Sequence, residues 1–252
     1  MLNLFELKGK TAIVTGANTG LGQAICIAYA KMGANIVGVA RRSSEETKIE
    51  CEKAGAKYLE VTADLSTTEP IERIINSAIE AFGHVDILVN NAGIIIRNDS
   101  SLVTEEEWDK VINVNQKVVF FLSQAFANWC MNNGKKGKII NIASMLSYQG
   151  GLRVPAYCAS KSAVLGFTRS LCNEWASKGI NVNGIAPGYM ETNNTTQIRE
   201  DEKRNQDILA RIPQGRWGKP DDIVGAAIFL ASEASDYVNG FTIAVDGGWL
   251  AR

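Results

Sequence analysis

Lys10-Thr11-Ala12-Ile13-Val14-Thr15-Gly16-Ala17-Asn18-Thr19-Gly20-Leu21-Gly22 is the stretch that decides the fold. Its first six residues are apolar and β-branched, bounded by glycine, and read as a buried strand. From Gln23 to Met32 the chain is alanine-rich and helix-like, and Gly33 stops it. Strand, glycine-rich turn and helix present backbone N–H groups and a positive helix end to a phosphate. The spacing is G-x-x-x-G-x-G, one residue longer than the common dinucleotide fingerprint. A tight turn with close helix–strand packing would use the same glycines. Phosphate binding is favoured because a second strand, Asn35–Ala40, follows at the right distance.

The end of that second strand is where an adenosine ribose should lie. A carboxylate there would accept from a 2′-hydroxyl and repel a 2′-phosphate. Here Ala40 is followed by Arg41 and Arg42, and Arg41 is suited to pair with a 2′-phosphate, which points toward NADP.

The alternation continues. Ser43–Ala54 reads as a polar helix and Lys57–Asp64 as a third strand, with Asp64 and Leu65 placed to meet an adenine ring or Asp64 to cap a helix. Thr68–Phe82 is amphipathic, with Ile71, Ile74, Ile75, Ala78, Ile79 and Phe82 on one side. Val85–Val89 is a fourth strand, closed by Asn90-Asn91-Ala92-Gly93, whose small and amide residues suit a cofactor crevice. A long helix runs from Thr104 toward Asn132, interrupted by Asn113-Val114-Asn115; Asn115 is expected to bend it and to hold a water or a lysine. Lys138–Ser144, Ile180–Ala186 and Phe241–Gly248 complete the strands, with Pro187-Gly188 after the sixth. A last helix starts at Lys219-Pro220 and reaches Ala231. Strands alternating with helices predict an α/β, doubly wound parallel sheet with helices on both faces, in one domain spanning residues 1–252. The charged segment Tyr189–Asp207 reads as a solvated helix or as a substrate lid.

In such sheets ligands bind outside the strand carboxyl ends. The glycine turn, Arg41, Asp64, Asn91–Gly93, Ser144 and Pro187–Gly188 all fall there. So does the most reactive constellation, Ser144 with Tyr157 and Lys161. On a helix, Tyr157 and Lys161 stand one turn apart on one face. A nearby ammonium favours the phenolate; moving a phenol from near ~10 to about 7 takes roughly 4 kcal/mol. Such a tyrosine exchanges protons with a substrate oxygen at neutral pH, and Ser144 can bond the same oxygen.

The chain has 252 residues, 46% apolar and 21% charged, so it can bury a sizeable core. A net charge of −1 leaves no broad basic field for nucleic acid or anionic membrane. No apolar run suits a membrane span, and Met1–Lys8 is no signal peptide. Five scattered cysteines read as reduced cytoplasmic thiols. The lone histidine, His84, leaves little for a metal site, and none is expected.

Taken together, Thr15-Gly16-x-x-x-Gly20-x-Gly22, Asn90-Asn91-Ala92-Gly93, Asn115, Ser144, Tyr157-x-x-x-Lys161 and Pro187-Gly188 resemble the short-chain dehydrogenase/reductase family over nearly the whole chain. The resemblance implies a Rossmann-type sheet of about seven strands, a homotetramer, and hydride transfer between nicotinamide and a carbonyl or alcohol. It implies a tetrad: Tyr157 as acid/base, Lys161 lowering its pKa and binding the nicotinamide ribose, Ser144 holding the substrate oxygen, and Asn115 anchoring a water. It also implies cofactor contacts at Gly16, Asn18, Gly20, Leu21, Gly22, Arg41, Asp64, Leu65, Asn91, Gly93, Tyr157, Lys161, Pro187, Gly188, Met190 and Thr192. A narrower likeness lies in Gly137–Ser147, Arg153-Val154-Pro155, Ile185–Tyr189, Asn193–Thr195 and the tail Ala244–Arg252. These resemble the family's sugar-acid dehydrogenases, which act on deoxy keto sugar acids and are usually linked to NAD, against the reading of Arg41. For the substrate carboxylate the expected cations are Arg97 and Arg153. Alternatives are an NADPH-dependent 3-oxoacyl-carrier-protein reductase and a dinucleotide-binding regulator without turnover. The apolar tail Phe241–Arg252 suits an interface or burial within the chain.

Overall fold

Strand β1 (Thr11–Thr15) is buried along its whole length, as its unbroken apolar pattern requires. The computed structural model describes residues 3–252. Around β1 lie β2 (Asn35–Ala40), β3 (Tyr58–Thr62), β4 (Ile87–Asn90), β5 (Gly137–Ile142), β6 (Ile180–Pro187) and β7 (Thr242–Val245). They form one seven-stranded sheet in the order β3-β2-β1-β4-β5-β6-β7. Every ladder is parallel. The order reverses between β1 and β4, which opens a crevice at their carboxyl ends. The predicted α/β architecture is thus the observed one.

The helices are α1 (Gly20–Lys31), α2 (Glu45–Lys53), α3 (Ile71–Phe82), α4 (Glu105–Ile112), α5 (Val118–Asn132), α6 (Pro155–Trp175), α7 (Thr196–Glu200), α8 (Glu202–Arg211) and α9 (Val224–Ala231). Alternate strand residues face opposite layers. Ile13, Val37, Leu88 and Ile139 pack against α3 and α5 through Ile74, Leu122 and Phe126. Val14, Ile36, Val89 and Ile140 pack against α1 and α9 through Ile25, Tyr29 and Leu230. The interruption at Asn113 is a single π turn, Asn113–Lys117, between α4 and α5. Helix α6 opens at Pro155, two residues before Tyr157, because proline's missing N–H and fixed φ suit a first helical position. Helix α3 begins at Ile71 rather than Thr68, and the last helix begins as a 3-10 turn, Pro220–Ile223, before α9.

Buried amides tie the ends of β4 and β5 to the helices beneath them. Asn90 Nδ2 donates to Ser123 Oγ and to Asn141 Oδ1, and Asn141 Nδ2 donates to Thr168 Oγ1, each at 2.9 Å. The buried groups satisfy one another, so their burial carries no large desolvation penalty. Across the crevice, Thr15 Oγ1 accepts from the N–H groups of Asn91 (3.0 Å) and Ala92 (2.9 Å), while Asn91 Nδ2 donates to the Thr15 carbonyl (2.8 Å). These bonds hold the switch point at one width.

Candidate active site

A cavity of about 860 Å³ runs along the strand carboxyl ends, from Arg41 and Asp64 past the glycine turn to Ser144, Tyr157 and Lys161. The glycine turn forms a backbone cradle along it. Gly16 (φ 69°) and Gly20 (φ 58°) take left-handed conformations that glycine alone adopts without penalty. Thr19, extended, precedes α1 without capping it by its side chain, so the first N–H groups of α1 stay available to an anion. Gly22 does not line the cavity; a Cβ there would overlap the Gly16 carbonyl oxygen and lie 2.5 Å from Asn91 Nδ2. Its lack of a side chain lets α1 seat against the turn, so its expected cofactor contact becomes a packing role.

The other expected cofactor residues border the cavity: Asn18, Leu21, Arg41, Leu65, Asn91, Gly93, Pro187, Gly188, Met190 and Thr192 all line it. Asp64 accepts from the Ser66 N–H (3.0 Å) in a loop turn and caps no helix. Behind Arg41, Ser44 is buried and bonds Glu60 Oε2 through both N–H (2.9 Å) and hydroxyl (2.8 Å). Tyr58 reaches over Gly38 to donate to Ser44 Oγ (2.8 Å), bracing the Arg41–Ser44 loop.

Lys161 is buried and donates from Nζ to the Ile142 carbonyl at 2.6 Å, with Nζ 5.8 Å from the centre of the Tyr157 ring. Ser147 Oγ donates to the Lys161 carbonyl (2.6 Å) and accepts from the Ser144 N–H (3.3 Å), locking the end of β5 to α6. Thus β5 delivers Ser144, α6 delivers Tyr157 and Lys161, and one serine sets their relative position. Asn115 is fully buried and does not border the cavity; its Oδ1 accepts from Ile94 N–H (2.8 Å), and its Nδ2 donates to the Ile94 carbonyl (2.9 Å) and Ser160 Oγ (3.3 Å). Its side chain is engaged with Ile94 and Ser160 and does not bond the lysine, because the π turn aims it at the loop after β4.

The electrostatics differ from the sequence expectation. Burial pushes the Tyr157 phenol above its ordinary value; the neighbouring Ser144 hydroxyl opposes this, Cys158 adds to it and Arg97 opposes it. Burial also pushes the Lys161 amine down to about 8. Both groups are driven toward neutrality by desolvation, and Lys161 is not among the charges that act on the Tyr157 phenol. For a lysine whose folded pKa lies below its unfolded value, the charged form burdens the fold fully below pH about 8, and the burden lifts as pH rises toward the unfolded 10.5. Relative to Lys161→Met, the wild-type chain should therefore gain about 2–3 kcal/mol of unfolding free energy between pH 7.5 and 10. Urea titrations at the two pH values measure this, and parallel curves would refute it.

Of the two arginines expected at the substrate end, only Arg97 borders the cavity. It donates to the Asn194 carbonyl (2.9 Å), joining the loop after β4 to the turn before α7. Arg153 sits at φ 64° and turns its Nε to Asp99 Oδ1 (2.9 Å), outside the cavity, so it is removed from the carboxylate role. The segment 189–207 lines the cavity instead of standing free: Ile198, with Ile208 just beyond it, buries with Met145, Trp217 and Trp249. Sequence reasoning missed Arg204, Arg211, Gln149 and Trp249, all of which line the same end. The lid reading of Tyr189–Asp207 held Arg204 without singling it out, and the apolar tail held Trp249. Among the described residues no group of three metal-binding side chains assembles, and no helix is long and apolar enough to cross a membrane.

A family model described as "Enoyl-(Acyl carrier protein) reductase" matches residues 16–250. With this fold, this crevice and the relatives below, the chain belongs to the short-chain dehydrogenase/reductase family. Among its relatives, the 2-dehydro-3-deoxy-D-gluconate 5-dehydrogenase of Escherichia coli is 56% identical over 252 residues, covering 100% of both chains. The Bacillus subtilis enzyme of the same name is 56% identical over 251 residues, covering 98% of this chain and 97% of that one. Among solved structures, a provisionally assigned 2-deoxy-D-gluconate 3-dehydrogenase from Agrobacterium tumefaciens with bound NADP superposes with a TM-score of 0.94, at 53% identity and full coverage of both chains.

Proposed function

We propose that this chain is an NAD(P)-dependent dehydrogenase that interconverts a hydroxyl and a keto group on a deoxy sugar acid of the 2-dehydro-3-deoxy-D-gluconate type. The single observation carrying the reading is the convergence of Ser144, Tyr157 and Lys161 at one end of a cavity that runs on past a glycine cradle. That cradle fits a dinucleotide, because left-handed Gly16 and Gly20 let the backbone approach a pyrophosphate closely. When bound, the nicotinamide supplies the hydride acceptor or donor. The chain handles the proton. In reduction, the Tyr157 phenol donates its proton to the substrate oxygen as that oxygen gains charge, and Ser144 Oγ hydrogen-bonds the same oxygen. In oxidation the phenolate removes the hydroxyl proton. Lys161 shares a helix face with Tyr157, its Nζ 5.8 Å from the ring centre, and lies beside Gly93, where a ribose hydroxyl can reach it; a Cβ on Gly93 would stand 3.7 Å from Nζ.

For the cofactor, Ala40 offers no carboxylate, and Arg41 and Arg42 both border the cavity, which favours NADP. The NADP held by the Agrobacterium relative supports this. Five unpaired thiols support a reducing, cytoplasmic setting. Exposed Phe121 on α5 and Phe241 beside β7 (39% and 63%) support a homotetramer that covers them, which light scattering checks. The test of function is absorbance of reduced nicotinamide with both cofactors and a panel of deoxy keto sugar acids, neutral ketones and an acetoacetyl thioester. Turnover confined to the sugar acids, with a lower KM for NADP, is the expected result. Turnover of the thioester alone would move the assignment to an acyl-carrier reductase, and no turnover at all to a binding module.

A further inference from the structure

Three guanidinium groups stand along the substrate end of the cavity: Arg97 after β4, and Arg204 and Arg211 on α8. The one carboxylate of the lining, Asp64, is at the opposite, adenosine end. Among the described residues none of the three arginines enters an ion pair. Two of them are nevertheless held. Arg97 bonds the Asn194 carbonyl. Arg211 donates to Gln149 Oε1 (3.2 Å) and lies 4.0 Å from the centre of the Trp249 ring.

Arg204 is different. Only its backbone N–H is used, donating to Asp201 Oδ1 (3.1 Å) at the start of α8. Arg204 is half-buried and borders the cavity, and its guanidinium finds no protein acceptor among the described residues. It also faces its own kind: after burial, the charge of Arg204 is the next cause that lowers the pKa of Arg97. Holding two like charges together beside a cavity without an anion is unfavourable. The fold does not need the arrangement, since Ile208 and Ile212 already pin α8 to Met145, Trp217 and Trp249. An anion between the two guanidiniums would turn repulsion into two charge-assisted pairs. Arg97 is close enough to influence Tyr157, so that anion would belong to the molecule whose oxygen Tyr157 touches.

We propose that Arg204 is the residue that selects the substrate's carboxylate, clamping it from α8 against Arg97. Arg211 stays with Gln149 and Trp249 and shapes the wall. The assignment rests on the sugar-acid reading and names the residue that enforces it. It also makes α8 part of the binding site.

The test pairs one deoxy keto sugar acid with its primary amide, assayed with wild type, Arg204→Ala and Arg204→Lys. Arg204→Ala should raise KM for the acid about 100-fold, with kcat within about threefold, the loss of a charge-assisted pair. The loss on the amide should be at least about tenfold smaller than on the acid, and Arg204→Lys should recover about tenfold of the loss on the acid. An unchanged KM for the acid, or equal losses on acid and amide, would overturn the role of Arg204 while leaving the sugar-acid reading intact. A wild type that fails to distinguish acid from amide would instead overturn that reading, and this assignment with it.

Discussion

Tyr157→Phe should lower turnover by about 10³–10⁴-fold in both directions while the cofactor Kd stays within about twofold. The substitution removes one oxygen and leaves the ring where α6 places it, so the cradle at Gly16 and Gly20 is untouched. The pH dependence carries more information than the size of the loss. Burial raises the Tyr157 pKa, so at neutral pH the group is a phenol. Ketone reduction, which consumes the phenol's proton, should be flat through neutral pH and fall only when the phenolate forms. Alcohol oxidation, which needs the phenolate, should rise with pH across the same range. Rates of both directions from pH 6 to 10 measure this. A residual activity in Tyr157→Phe that kept the wild-type pH profile would assign the proton transfer to another group.

The second large effect is expected at a residue that touches no ligand. Gly22→Ala adds one methyl group, directed at the Gly16 carbonyl and Asn91 Nδ2. Both belong to the connection between β1 and β4, and neither is the end of a flexible side chain that can swing clear: Gly16 is backbone, and Asn91 Nδ2 is tied to Thr15. The N-terminal turn of α1 must therefore move away from the crevice. Overpacking of this kind costs about 1–3 kcal/mol, and more where backbone must shift. The same movement carries the α1 N–H groups out of register with a pyrophosphate, so cofactor affinity should fall at least about 100-fold. Urea unfolding and titration of reduced-nicotinamide fluorescence report the two effects separately. Normal cofactor affinity in this variant would mean that the turn, and not the seating of α1, holds the dinucleotide.

Much of this molecule was legible before its coordinates. Strand and helix order followed from periodicity, because a buried parallel strand must be apolar on both faces, as Ala12-Ile13-Val14 is, and an amphipathic helix must repeat every three to four residues, as Ile71-Ile74-Ile75-Ala78 does. The spacing of Tyr157 and Lys161 is a local property of a helix turn, and both stand on α6. Boundaries moved by a few residues, as at α3, which begins at Ile71 and not at Thr68.

The substrate end was not legible in the same way. Arg153 and Arg97 look equivalent in the sequence, each a few residues beyond a strand end, yet a left-handed backbone and Asp99 turn one away while Asn194 holds the other at the cavity. Arg204, Arg211 and Trp249 reach the same wall from segments roughly 100 and 150 residues beyond Arg97, brought together by the packing of Ile198, Ile208 and Ile212 over Met145. The direction of the Tyr157 shift also depended on burial, which an i, i+4 spacing does not encode. The sequence by itself determined what is short-range: element type, the glycine turn and the tyrosine–lysine pair, all set by sterics and periodicity within a few residues. The tertiary structure alone decided which cations meet and how dry the phenol is, because both depend on side chains far apart in the chain sharing one desolvated space.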